Sequence, residues 1–289
     1  MGIRTHRTKA IAAAAATVLF AVTAAVTAAS PAEAATVKTV KVRMSDNAIT
    51  FSGGGASTAN GVTTLHAGRY HFHVVSAAGD HILQFLNFRN GYTAEQATQD
   101  FQSAFEGDVA AVQRIDNGVV FRGGADARKG NPGDMVVTLP AGQQLAIDQN
   151  GDAVASLNVV GKVGNTPKTP SSGRYTAFSF GWGVSSHLPA SGTVKFVNQA
   201  DQPHFLVLQR VKSRTTNKQV RKFIKSGAQG NPTWALKATA DSGVVSPGKS
   251  QLLDYDLPPG KYFLACFWPD YFNGMPHFLM GMWKLVTLT

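Results

Sequence analysis

The chain repeats itself, and no other feature limits its fold so much. Leu65-His66-Ala67-Gly68-Arg69-Tyr70-His71-Phe72 is echoed by Pro189-Ala190-Ser191-Gly192-Thr193-Val194-Lys195-Phe196. Asp80-His81 and Pro203-His204 follow in the two copies, and each precedes a threonine suited to cap a helix. Thr93 and Thr216 are 123 positions apart, as are the two histidines. Gly118-Val119-Val120 returns as Gly243-Val244-Val245, Asn131-Pro132-Gly133 as Ser246-Pro247-Gly248, and Leu139-Pro140-Ala141-Gly142 as Leu257-Pro258-Pro259-Gly260. Ordered matches of this kind point to duplication. Gly161–Gly173 between the copies is rich in Pro, Gly, Ser and Thr, a linker composition.

Each copy reads mainly as strands. Val37, Val40 and Val42 nearly alternate with Lys38, Lys41 and Arg43, and Tyr70–Val74 alternates as well. Val194–Val197, Phe205–Leu208, Gln251–Tyr255 and Lys284–Leu288 are further strand candidates. One helix interrupts each copy, at 94–105 and at 217–225, the second with Val220, Phe223 and Ile224 on one face. The expected architecture is all-β: two Greek-key β-sandwich domains, each with one inserted short helix. The expected boundaries are 35–163 and 174–289, with a linker at 164–173.

The first residues read as a secretory signal. Arg4, Arg7 and Lys9 precede an apolar stretch from Ala10 to Ala29, and Ser30-Pro31-Ala32-Glu33-Ala34 has the small-residue ending of a cleavage site. Export with removal of residues 1–34 is expected. The net charge is +10. Without the three basic residues and Glu33 of the signal, about +8 remains. Basic residues crowd Arg210, Lys212, Arg214, Lys218, Arg221, Lys222 and Lys225, either as a solvated helix face or as a surface for an anionic cell-envelope component or acidic protein. No motif for nucleic-acid binding is present. Nor is there a nucleophile elbow, a His-Glu-x-x-His, a phosphate loop or a dinucleotide fingerprint, so an enzyme is not expected.

Cys266 is the one cysteine, which excludes an internal disulfide. It ends an apolar strand, and His277, Met280 and Met282 follow it. Thiolate, imidazole and thioether together suit a soft metal. Without a metal, Cys266 reads as a buried core residue. His71-Phe72-His73 places two imidazoles on one face of a strand, with no third ligand evident.

Domain two resembles a cupredoxin, the blue-copper sandwich of plastocyanin and azurin. The marks are His204 after the turn Asn198–Pro203, the Leu257-Pro258-Pro259-Gly260-Lys261-Tyr262 entry to the cysteine strand, and His277 with Met282 four intervening residues on. The resemblance implies one copper ion, held by His204, Cys266 and His277 with Met282 axial and Met280 as the competing axial residue. It implies Phe205, Phe267, Trp268 and Phe278 as the shield of the site. It also implies electron transfer or copper handling with a redox protein partner. Ten residues separate Cys266 from His277 where the family has two to four. Domain one carries Asp148 at the position of Cys266 and is expected to hold no metal. The chain lacks the set of His-x-His pairs and the His-Cys-His run of multicopper oxidases. The alternative is a metal-free β-sandwich serving as a binding or structural module of the cell envelope.

Overall fold

The computed structural model describes residues 37–164 and 168–289. The signal read at 1–34 lies outside them. Among the described residues no helix is long and apolar enough to cross a membrane.

The first half runs β1 (Lys38–Ser45), β2 (Ala48–Gly53), β3 (Ser57–Ala59), β4 (Val62–His66), β5 (Gly68–Ser76), β6 (Asp80–Phe88), α1 (Ala94–Phe105), α2 (Val109–Gly118), β7 (Val119–Arg128), β8 (Gly133–Leu139), β9 (Gly142–Asp148) and β10 (Val154–Val160). The second runs β11 (Gly173–Phe178), β12 (Gly181–Val184), β13 (Ser191–Asn198), β14 (Val207–Val211), α3 (Asn217–Lys225), β15 (Ala235–Asp241), β16 (Ser250–Asp256), β17 (Gly260–Ala265) and β18 (Trp283–Leu288). Alternation sets the inward faces: in β1, Val40, Val42 and Met44 are fully buried while Lys41 and Arg43 point out. Both halves start their helix insertion with the same capping box, Thr93 with Gln96 and Thr216 with Gln219. The first half departs from the expected single helix. Asp108 accepts from the backbone N–H groups of Ala110 and Ala111 and starts α2.

The strands form three sheets. One has eight strands in the order β2-β1-β5-β8-β16-β13-β11-β12, one has six in the order β3-β4-β10-β9-β6-β7, and one has four in the order β15-β14-β17-β18. The eight-stranded sheet runs through both halves. Its two ends read alike, because β2, β1, β5 and β8 are the counterparts of β12, β11, β13 and β16. The seam is the antiparallel pair of β8 and β16, with Val136 opposite Leu252, Met135 opposite Leu253 and Asp134 opposite Asp254. Leu139-Pro140 and Leu257-Pro258 set the repeat offset here at 118. That offset converts the Val136–Leu252 pair into the Asp254–Asp134 pair, so the copies meet about a local two-fold axis at Met135 and Leu253. The smaller sheets cover the two ends of this long sheet, and each end closes as a two-layer sandwich.

A second junction lies behind the seam. Residues 242–246 lie between β7 of the first half and residues 204–206. Gly243 N–H donates to Gly124 O (3.0 Å), Ser246 N–H to Phe121 O (3.1 Å), and Ser242 N–H to Leu206 O (2.9 Å). The buried Gln84 binds the same segment, accepting from Val244 N–H at 2.6 Å.

Candidate metal centre

Cys266 follows β17 directly, and the residues after it fold as a hairpin. Phe278 N–H donates to Cys266 O (2.8 Å), His277 N–H to Trp268 O (2.9 Å), and Asp270 N–H to Met275 O (2.9 Å). Asp270 turns the tip: its Oδ1 accepts from Phe272 N–H and Asn273 N–H, each at 3.1 Å. Gly274 takes the left-handed conformation (φ 69°), and a Cβ there would lie 2.9 Å from Gly107 O. The ten intervening residues therefore go out and come back. They cost the site no distance, and His277 returns beside the start of the hairpin.

The excursion is braced by the first half. Trp268 Nε1–H donates to Asp116 Oδ1 of α2 at 3.2 Å, and Gln113 Nε2 donates to Tyr271 O at 3.1 Å. The Trp268 ring packs edge-on against Phe121 (5.3 Å) and Phe105 (5.9 Å). Burial pushes the Asp116 carboxyl up to about 8.

His204 comes from the segment that leads into β14, the strand paired with β17. Its backbone pairs with Val245, donating at 3.1 Å and accepting at 2.8 Å. The buried Asn198 fixes the preceding turn, donating from Nδ2 to Gln202 O and Val245 O at 2.8 Å each.

Three donor atoms meet. Cys266 Sγ lies 3.4 Å from His204 Nδ1 and 3.8 Å from His277 Nδ1, and the two ring nitrogens are 3.1 Å apart. The circle through three atoms so spaced has a radius of about 2.0 Å, close to the ~2.0–2.3 Å at which imidazole and thiolate bind a metal such as zinc. His204, Cys266 and His277 together form a group that could hold a metal ion. All three are essentially inaccessible to water. His277 Nε2 lies 3.2 Å from Gln202 Oε1. A carbonyl oxygen only accepts, so Nε2 carries the ring proton and Nδ1 presents a lone pair to the group. His204 Nε2 is buried without a partner. Two imidazole nitrogens at 3.1 Å need a proton or a cation between them, and the donor set fits a soft or borderline metal.

Burial also sets the protonation of the group. It holds His277 down to about 4, against the smaller upward pull of Asp270 and Asp201. It pushes His204 well below the usual histidine range, with His277 acting in the same direction. It raises the Cys266 thiol to about 12, against backbone hydrogen bonds from Phe205 and Trp268. At neutral pH both rings are uncharged, and the thiol holds its proton until something displaces it.

Met282 is fully buried, its N–H donating to His277 O (3.0 Å) and its O accepting from Cys266 N–H (3.3 Å). Its backbone thus sits next to two members of the group. Met280 faces elsewhere, with its sulfur 3.8 Å from Asn273 Nδ2. Trp268 and Phe278 are buried, and Phe205 and Phe267 are partly so. Two neighbours were not legible in the sequence. Gln202 orients His277 and links it to Asp270 (2.9 Å). Phe180 sets its ring edge-on to His277 at 5.4 Å from a left-handed backbone (φ 58°).

The first half shows the same place filled differently. His81 Nδ1 lies 2.6 Å from Asp148 Oδ2, both side chains buried, and Asp148 Oδ1 accepts from Ile82 N–H and Asn150 N–H at 3.0 Å. The counterpart of the thiol is a carboxylate already satisfied by protein groups.

No protein-family model matches the chain, and no curated protein matches it by sequence. Solved structures do match. The chain is similar to auracyanin B at 24% identity, covering 40% of this chain and 86% of that one (TM-score 0.26). It is similar to auracyanin A, a "blue" copper protein from Chloroflexus aurantiacus, at 14% identity, covering 40% and 100% (TM-score 0.25). Copper nitrite reductase from Nitrosomonas europaea aligns at 12% identity over 87% of this chain and 93% of that one (TM-score 0.22). At such TM-scores the likeness goes no further, and the chemistry of the site rests on its own atoms.

Proposed function

We propose that this chain is an exported cupredoxin-like protein that binds one copper ion through His204, Cys266 and His277 and serves in electron transfer or copper handling. One observation carries the reading: a thiol and two neutral imidazoles, buried together and spaced about a common centre. Bound copper would supply a one-electron couple, and the buried Met282 would be the thioether available to tune it. The chain's own part is to hold the donors in place. Gln202 fixes the His277 tautomer, Val245 anchors His204, and the hairpin braced by α2 returns His277 to the thiol. The burial of all three ligands favours a carrier over an enzyme, because it leaves no open face at which a substrate would meet the metal.

The test is to add Cu(II) to the purified protein and record its visible spectrum. An intense thiolate-to-copper band at one equivalent, absent in Cys266→Ala, is the expected result. A colourless protein with no stoichiometric copper would leave the metal-free envelope module in its place.

The basic stretch supports an anionic envelope partner for the same protein. No acid occurs between Asp201 and Asp241, and Lys212, Arg214, Lys218, Arg221, Lys222 and Lys225 are exposed around α3. Retention on anionic cell-wall or membrane fractions is expected at low salt and lost at high salt, where surface charges are screened within a few ångströms. Equal retention in both conditions, or none, counts against this partner.

A further inference from the structure

The outer face of the eight-stranded sheet carries a second cluster, independent of the buried group. His71 Nε2 and His73 Nδ1 each lie 2.9 Å from the same oxygen, Asp134 Oδ1. These side chains are partly exposed, at 30%, 36% and 22%. Asp254 stands opposite Asp134 across the seam. We infer that His71, His73 and Asp134 of the first half, with Asp254 of the second, form a binding site for a divalent cation of the zinc class.

Strand geometry puts the two imidazoles on one face, two residues apart, and register puts Asp134 directly beside His73. Both ring nitrogens are aimed at one point, which Asp134 Oδ1 now fills. Turning that carboxylate aside opens the point to a cation and keeps the other oxygen as a third ligand. The nitrogens must then move from 2.9 Å to about 2.0–2.1 Å. The rings are partly exposed, which leaves room for the side-chain rotation this requires.

Asp254 brings a second carboxylate to the cluster across the seam. Two carboxylates directly opposite on antiparallel strands repel. Here they close a seam that has three register pairs in all. Asp134, and more weakly Asp254, hold the His71 ring above the ordinary histidine range, so both acids act on the same imidazole. Lys41 is exposed and in register with His73 on β1, Arg69 lies two residues before His71 on the same face of β5, and Thr193 beside Asp254 is uncharged. Two imidazoles and two carboxylates make a borderline-hard donor set, suited to zinc and unlike the soft set around Cys266. A metal held there joins the two halves across the sheet.

Equilibrium dialysis against Zn2+ at pH 7.5 tests the site. The wild type is expected to hold one zinc equivalent more than Asp134→Asn or the double variant His71→Gln/His73→Gln. The buried group is intact in all three, so the difference isolates the surface cluster. Zinc is also expected to raise the melting temperature of the wild type above that of either variant. Asp254→Asn is expected to keep the stoichiometry and weaken zinc by about tenfold. Equal zinc content in wild type and both ligand variants overturns the site. Unchanged affinity in Asp254→Asn overturns its reach across the seam.

Discussion

Gly243→Ala is expected to lower the stability of the protein by about 3 kcal/mol and its melting temperature by about 10 °C. The reason is contact of backbone with backbone. A Cβ on Gly243 would meet the N and Cα of Gly124, the latter at 2.5 Å, and Gln84 Oε1 at 2.8 Å. Neither strand can yield easily. Gly243 N–H donates to Gly124 O, and Gln84, the register partner of Gly124, accepts from Val244 N–H. Moving the segment apart would break the junction of the two halves. It would also carry Val245 away from His204, because residues 242–245 grip residues 204–206 through paired hydrogen bonds. Thermal melting followed by circular dichroism measures the first effect, and copper titration of the folded variant measures the second, expected as weaker binding. Gly181→Ala is the control: its added Cβ has open space within 4 Å and its φ is not in the left-handed region. It should stay within about 0.5 kcal/mol of wild type. Equal melting of the two variants would mean that the Gly124–Gly243 contact does not hold the halves together.

The features legible in the sequence are those with a local cause. The alternation in β1, the capping residues Thr93 and Thr216, and the turn residues before β8 and β16 each act over a few positions, so both copies of the sandwich and both cap positions could be read. The donor types were legible for the same reason, since thiol and imidazole declare their chemistry by themselves. The second helix was not. Val109–Gly118 contains Gln, Arg, Asp and Asn in a run with no long apolar face, and its start depends on the single cap Asp108. The continuous sheet was not legible either. Pairing of β8 with β16 is a meeting of two edges far apart in the chain, and no local pattern encodes which edge another will meet. The long gap after Cys266 reads as an obstacle in one dimension. It ceases to be one because Asp270 and Gly274 turn the chain back on itself. The roles of Gln202 and Phe180 exist only through contacts made by the finished fold, where one fixes a ring proton and the other a ring edge.

Copper(I) affinity at the buried group is expected to rise about tenfold for each pH unit between pH 5 and 8, about a thousandfold in all. The direction follows from which protons the ligands hold. Burial keeps the His277 ring neutral down to about 4 and holds His204 well below the usual histidine range, so neither loses a proton on binding above pH 5. Burial also holds the Cys266 thiol protonated up to about 12. The thiolate is the metal ligand, so binding releases one proton throughout this range, and raising the pH favours the bound state. Below about pH 4 the His277 ring gains its own proton and the dependence steepens. Copper(I) suits the measurement, because a soft cation prefers the thiolate to the imidazole–carboxylate cluster on the sheet face. Competition with a chelator of known pH behaviour gives the slope, and calorimetry in buffers of different ionisation enthalpy counts the proton directly. Cys266→Ala should bind more weakly and lose the slope, because no proton remains to be displaced. A wild-type affinity that is flat from pH 5 to 8 would mean that the sulfur does not bind the metal, and the case for a thiolate centre would fall with it.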